Sequence, residues 1–70
     1  MNQVDARGLS CPIPVVRTRK AMKADPNTTF TVLVDEMTQV ENVTRLGNSN
    51  GYEVEVEDYE GAYMLTLTPR

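Results

Sequence analysis

Thr29-Phe30-Thr31-Val32-Leu33-Val34-Asp35 is the stretch that decides the fold. Phe30, Val32 and Val34 point to one side of an extended chain, and Leu33 points to the other. Apolar residues on both sides mark a covered strand, one that belongs near the centre of a sheet. Upstream, Pro12 to about Lys23 has helical spacing: Val15, Thr18 and Met22 share a face, while Arg17, Lys20 and Lys23 look away. Asp25-Pro26-Asn27 ends that helix, because Pro26 disfavours helical angles at Asp25. Before it, Val4 and Ala6 are the apolar half of a short first strand closed by Gly8. Downstream, Thr38 and Glu41 have capping-box spacing at the head of a second helix. Val40, Val43 and Leu46 form its buried stripe, and Gly47 or Gly51 stops it. Tyr52, Val54 and Val56 then alternate with Glu53, Glu55 and Glu57 as a half-exposed strand. Asp58-Tyr59-Glu60-Gly61 reads as a turn into a last, antiparallel strand carrying Tyr63, Leu65 and Leu67.

The order β-α-β-α-β-β implies two right-handed crossovers. Both helices then cover one face of a mixed four-stranded sheet, and the Glu and Thr residues of the strands face water on the other. The expected fold is an α+β two-layer sandwich. Residues 1–70 read as a single domain without repeats or an internal linker. So small a chain is not expected to enclose a deep substrate cavity, which places its chemistry on the surface.

The net charge of −3 conceals an asymmetry. Residues 1–24 hold Arg7, Arg17, Arg19, Lys20 and Lys23 against Asp5 alone, a balance of +4. Residues 25–70 hold Arg45 and Arg70 against nine acids, a balance of −7. The basic segment also contains the only cysteine, Cys11, and the chain has no histidine. An internal disulfide, a Cys–His dyad and a zinc site of the usual Cys/His type are therefore all excluded within it. No apolar run has the length of a membrane span, and Met-Asn-Gln-Val-Asp lacks the regions of a signal peptide. The simplest expectation is a soluble, cytoplasmic protein with no membrane partner, metal or cofactor.

Cys11 lies between the first strand and the first helix, followed by Pro12 and Pro14. Pro12 suits the first helical position, which places Cys11 at the N-cap in extended geometry. A thiolate there faces the positive end of the helix dipole and can accept from the Ile13 N–H. Ile13 also precedes a proline, so the alternative is a helix that begins at Pro14. Basic neighbours, with Arg7 and Arg17 nearest in sequence, favour the thiolate, and the two prolines hold it outward. Such a group can take the terminal sulfur of a donor persulfide and surrender it to the next thiol. The competing reading of Cys11 is a small buried hydrophobe, but a turn with two prolines belongs at the surface. Asp5 and Ser10 are positioned to hydrogen-bond the turn and cap the helix.

Asp5-Ala6-Arg7-Gly8-Leu9-Ser10-Cys11-Pro12-Ile13-Pro14-Val15 resembles the signature of the TusA (SirA-like) sulfur carriers. The likeness extends over the whole chain, in length and in element order. It implies a persulfide on Cys11, loaded by a cysteine desulfurase and passed to an acceptor, with Arg19 and Lys20 matching basic positions at the donor-docking surface. In TusA itself the relay leads to thiolation of a tRNA wobble uridine. Val34-Asp35-Glu36 through Val40-Glu41-Asn42-Val43-Thr44-Arg45-Leu46 is more similar to the first domain of YedF-type proteins, linked to selenium metabolism. In those chains a DsrE-like domain often follows, so the resemblance admits an N-terminal domain of a longer protein and a selenium cargo, and weighs against a tRNA role.

The basic residues Arg17, Arg19, Lys20 and Lys23 fit docking to an acidic partner, or simply a solvated helix face. With pI near 4.7 and Phe30, Tyr52 and Tyr63 needed in the core, direct RNA contact is disfavoured. Glu53, Glu55, Glu57, Asp58 and Glu60 are too splayed for shared metal coordination and instead deter edge pairing. The expectation is a sulfur or selenium carrier: Cys11 as covalent acceptor, Gly8, Asp5, Ser10, Pro12 and Pro14 as its presenting turn, and Arg17, Arg19 and Lys20 as docking charges. Turnover in isolation is not expected. The rivals are a non-catalytic interaction or regulatory module and an RNA-binding domain.

Overall fold

Alternating apolar residues give four strands and two helical stripes in the expected order. The computed structural model describes residues 2–10 and 12–70. Its elements are β1 (Asn2–Asp5), α1 (Ile13–Ala24), β2 (Phe30–Val34), α2 (Met37–Ser49), β3 (Tyr52–Tyr59) and β4 (Ala62–Pro69). They build one mixed sheet in the order β1-β2-β4-β3. β1 runs parallel to β2, with Val4 opposite Val32. β4 is antiparallel to both neighbours, placing Leu65 between Val32 and Val56. Met22 from α1 and Val40, Val43 and Leu46 from α2 join Phe30, Val32, Val34, Leu65 and Leu67 in one core cluster, so both helices pack on the same face. Phe30 and Tyr52 meet edge to face at 5.9 Å within it. No described helix is long and apolar enough to cross a membrane.

β2 occupies the interior position that its two-sided apolar pattern demands, and all five of its residues are buried. Leu33, facing away from the helices, is only 3% exposed. Thr31 is buried on that outer face as well, where a solvated threonine was expected. Side chains of the two flanking strands shield the middle of the sheet even without a helix above it. On edge strand β3 the outer-face residues Glu53, Glu55 and Glu57 are exposed as expected. Val56 departs from its expected burial and is 45% exposed, because α2 meets β3 at Val54 and does not reach further along the edge.

Three local expectations are corrected. Glu36, in extended backbone, is the N-cap of α2, and no side chain caps it. Thr38 is already the second helical residue, so the Thr38–Glu41 capping box does not form. Of the two glycines expected to stop α2, Gly47 lies inside it and Gly51 holds: the helix continues to Ser49, is closed by Asn50, whose Nδ2 donates to the Leu46 carbonyl at 2.8 Å, and is followed by Gly51 with φ of 78°. The β3–β4 turn is shorter than the four residues expected. Tyr59 pairs with Ala62, leaving Glu60 and Gly61 with φ of 48° and 84°, a two-residue hairpin loop with the twist of a primed turn.

Candidate functional site

β1 and β2 are parallel, so the segments that leave them lie side by side at one end of the sheet. One is Ala6–Ser10 leading into Pro12 and α1; the other is Asp35-Glu36 leading into α2. Ala6 continues the pairing briefly, its N–H donating to the Leu33 carbonyl at 2.8 Å. Asp5 then folds the chain back. Its carboxylate accepts from the Arg7 N–H at 3.2 Å, from Nε at 3.0 Å and from Nη2 at 2.8 Å. Those bonds, assisted by the charge of Arg17, hold the Asp5 carboxyl down at about 2. Gly8 turns next, with φ of 75°, a conformation most side chains resist. Its N–H donates to Asp35 Oδ2 at 2.8 Å, which fastens the first loop to the end of β2.

Cys11, with its expected extended geometry, lies outside the described residues. Pro12 is the N-cap of α1, not its first residue, and no side chain caps the helix. Pro14 falls one place after Ile13, the first helical residue, and is buried. The Ile13 N–H, expected to face the thiolate, donates instead to the Ser10 carbonyl at 3.0 Å. Ser10 therefore supports the turn through its backbone rather than through a capping hydroxyl. Asp5 does bond the turn as expected. Thr18, fully buried, returns its hydroxyl to the Pro14 carbonyl at 2.7 Å and anchors the first turns of α1 to the core side.

Of the two cations nearest in sequence, Arg7 is neutralised by its two-pronged bond to Asp5. Arg17, Arg19, Lys20 and Lys23 are all exposed. At 100° per residue they do not make a single stripe: Arg17 and Lys20 form one row, Arg19 and Lys23 another. Val16 lies between the rows and is 43% exposed, and Ile13 and Met37, each heading a helix, are 41% and 52% exposed. These three apolar residues were not singled out in the sequence, where they look like ordinary members of helices. Asp35 was also missed, since its loop partner lies 27 residues away. A hollow of about 340 Å³ is lined by Gly8, Leu9, Ser10, Asp35 and Glu36. A second, of about 400 Å³, opens between the helices from Pro12. Cys11 falls in sequence between the residues of these two hollows.

A family model described as Sulfurtransferase TusA matches residues 2–68. A candidate sulfur carrier protein of Methanocaldococcus jannaschii is 30% identical over 69 residues, covering 96% of this chain and 92% of that one. The crystal structure of a SirA-like protein from Desulfitobacterium hafniense superposes with a TM-score of 0.91 at 32% identity, covering 97% of this chain and 96% of the other.

Proposed function

The chain belongs to the sulfurtransferase TusA family, and from that premise we propose that it is a chalcogen carrier loaded on Cys11. The observation that carries the reading is that the family match spans the whole fold while the chain offers one thiol and no histidine. The Cys11 thiolate attacks the terminal sulfur of a donor persulfide. The donor's S–S bond breaks, its cysteine leaves as thiolate, and a new S–S bond forms on Cys11. An acceptor thiolate then repeats the exchange in the other direction. Lacking a second cysteine, the chain cannot expel the cargo as an internal disulfide, so both steps depend on partners.

The turn supports this role by rigidity. Asp5, Gly8 and Asp35 fix the approach to Cys11; Pro12 and Pro14 fix its exit. Arg17, Arg19 and Lys20 provide charge for docking a donor such as a cysteine desulfurase, and the chemistry admits a DsrE-like or other thiol acceptor in the cytoplasm. Sulfur is the favoured cargo and selenium the alternative. Incubation with a cysteine desulfurase and cysteine, followed by intact mass measurement, should show one added sulfur that reductant removes. Cys11→Ser should abolish the gain, and absence of any gain with several desulfurases would remove the proposal. The exposed Ile13, Val16 and Met37 favour a second reading, a docking module that regulates its partner without transfer. That module would keep full activity as Cys11→Ser, whereas the carrier would lose all of it.

A further inference from the structure

β3 is an outer strand of the sheet, and its free edge is eight residues long. The hairpin fixes which backbone groups look outward. Tyr59 and Ala62 flank a two-residue loop, and the residues beside such a loop exchange both backbone bonds. Bonded and non-bonded pairs alternate from there, so Glu57, Glu55 and Glu53 turn their N–H and C=O groups toward Met64, Thr66 and Thr68 of β4. Those of Val54, Val56 and Asp58 point away from the sheet, where no described strand pairs with them. Pro69, which has no N–H, stands opposite Tyr52 in the same non-bonded phase. The side chains sort by face. Glu53, Glu55 and Glu57 line the outer face, exposed and without an ion pair among the described residues. On the helix-covered face, Val56 is left open beyond the reach of α2. The edge thus joins unpaired backbone groups, a row of negative charge on one face and an uncovered apolar side chain on the other.

We propose that the β3 edge accepts a strand from a partner protein, an extended segment in which three basic residues alternate with two apolar ones. The backbone of that segment pairs with Val54, Val56 and Asp58 and adds a further strand to the sheet. Its basic side chains fall on the outer face, beside Glu53, Glu55 and Glu57. Its apolar side chains fall on the other face, beside Val54 and Val56. Charge decides for this occupant and against a second copy of the chain. Two β3 edges paired antiparallel would set their glutamate rows against each other on one face, and like charges across a strand pair are unfavourable. The row that deters self-pairing therefore selects a basic strand, since specific pairing uses repulsion of the wrong partner as well as attraction of the right one. β1, which leads toward Cys11, is the opposite edge of the sheet, so a strand held on β3 leaves that edge uncovered. The inference is independent of the chemistry of Cys11.

Titration of the whole chain with the peptide acetyl-Thr-Lys-Val-Lys-Val-Lys-Thr-amide, followed by amide NMR, tests this. The Val54, Val56 and Asp58 amides should shift and exchange more slowly with solvent as they gain acceptors. The peptide acetyl-Thr-Lys-Lys-Val-Val-Lys-Thr-amide has the same composition without the alternation and should leave their exchange unchanged. Glu53→Gln, Glu55→Gln and Glu57→Gln together should weaken binding roughly tenfold, the range of three exposed charge pairs. Val56→Pro removes an outward donor and no bond to β4, so the fold should survive, as the β4 amide resonances will show, while binding is lost. If that variant does not fold, the glutamine variant and the exchange measurement decide. Equal response to the two peptides, shifts confined to other surfaces, or a glutamine variant that binds like the parent would overturn the proposal. Protection of the same amides that grows with protein concentration alone would also overturn it, by giving the edge to a second copy.

Discussion

Asp5 stands where β1 ends, and three donors from Arg7 converge on its carboxylate. Its folded pKa of about 2 lies below the ordinary 3.8. A depressed carboxyl contributes stability that is present above the ordinary value and lost as pH falls through the folded one. Asp5→Asn should therefore be less stable than the parent near neutrality, with the gap closing between pH 3.8 and about 2. Urea titrations across that range measure it; a gap that stays constant would mean that the charge of Asp5 is immaterial to the turn. The motif made Asp5 legible because its partners are within three residues. Asp35 was illegible for the opposite reason: only the parallel register of β1 and β2 brings it under Gly8, and register is a property of the assembled sheet. The place of Pro12 depended on two competing preferences, since both Cys11 and Ile13 precede a proline. Burial of Pro14 and the Ser10–Ile13 bond decided it.

At the scale of elements, strands and helices were readable because their apolar residues recur at two and at three to four. Their ends were not, because caps depend on which backbone groups are already engaged. Thr38 and Glu41 have the spacing of a capping box, yet Asp35 is drawn toward Gly8 and Glu36 becomes the first capping position. Gly47 reads in sequence as one of two candidate stops, with Gly51, but it is the point where α2 rests on the sheet. A Cβ built there would lie 2.6 Å from Val54 Cγ2 and 3.1 Å from Leu67 Cδ2. Gly47→Ala gains about 1 kcal/mol of helix propensity and incurs roughly 1–3 kcal/mol of overpacking, so a net loss of about 1 kcal/mol is expected. In a Val54→Ala background the same change should become stabilising, which chemical denaturation of the four variants will show. Glu60 carries a φ of 48° in the hairpin loop, where a non-glycine side chain costs about 1–2 kcal/mol. Glu60→Asn should raise stability by about 0.5–1 kcal/mol, since the resulting pair is the preferred one for such loops. A lowered melting temperature would show that Glu60 makes a compensating contact.

Across the whole molecule, one layer of core side chains holds both helices to the sheet, and Leu65 stands at its centre with no exposed surface. Leu65→Ala should cost about 2–5 kcal/mol, a large part of the total for a chain of this size. The urea midpoint should fall accordingly, and a loss under about 1 kcal/mol would contradict the packing described. β4, the last of the six elements, takes an interior place between β2 and β3. On the ribosome the chain emerges at about 5–20 residues per second, and Cys11 comes out before five of the six elements. The loop around it gains its fastening at Asp35 only after a further two dozen residues, and β3 has no strand to pair with until β4 is made. Nascent chains thus expose Cys11 before the strands that complete the sheet are made, so any partner that recognises the folded surface must wait until β4 has been made.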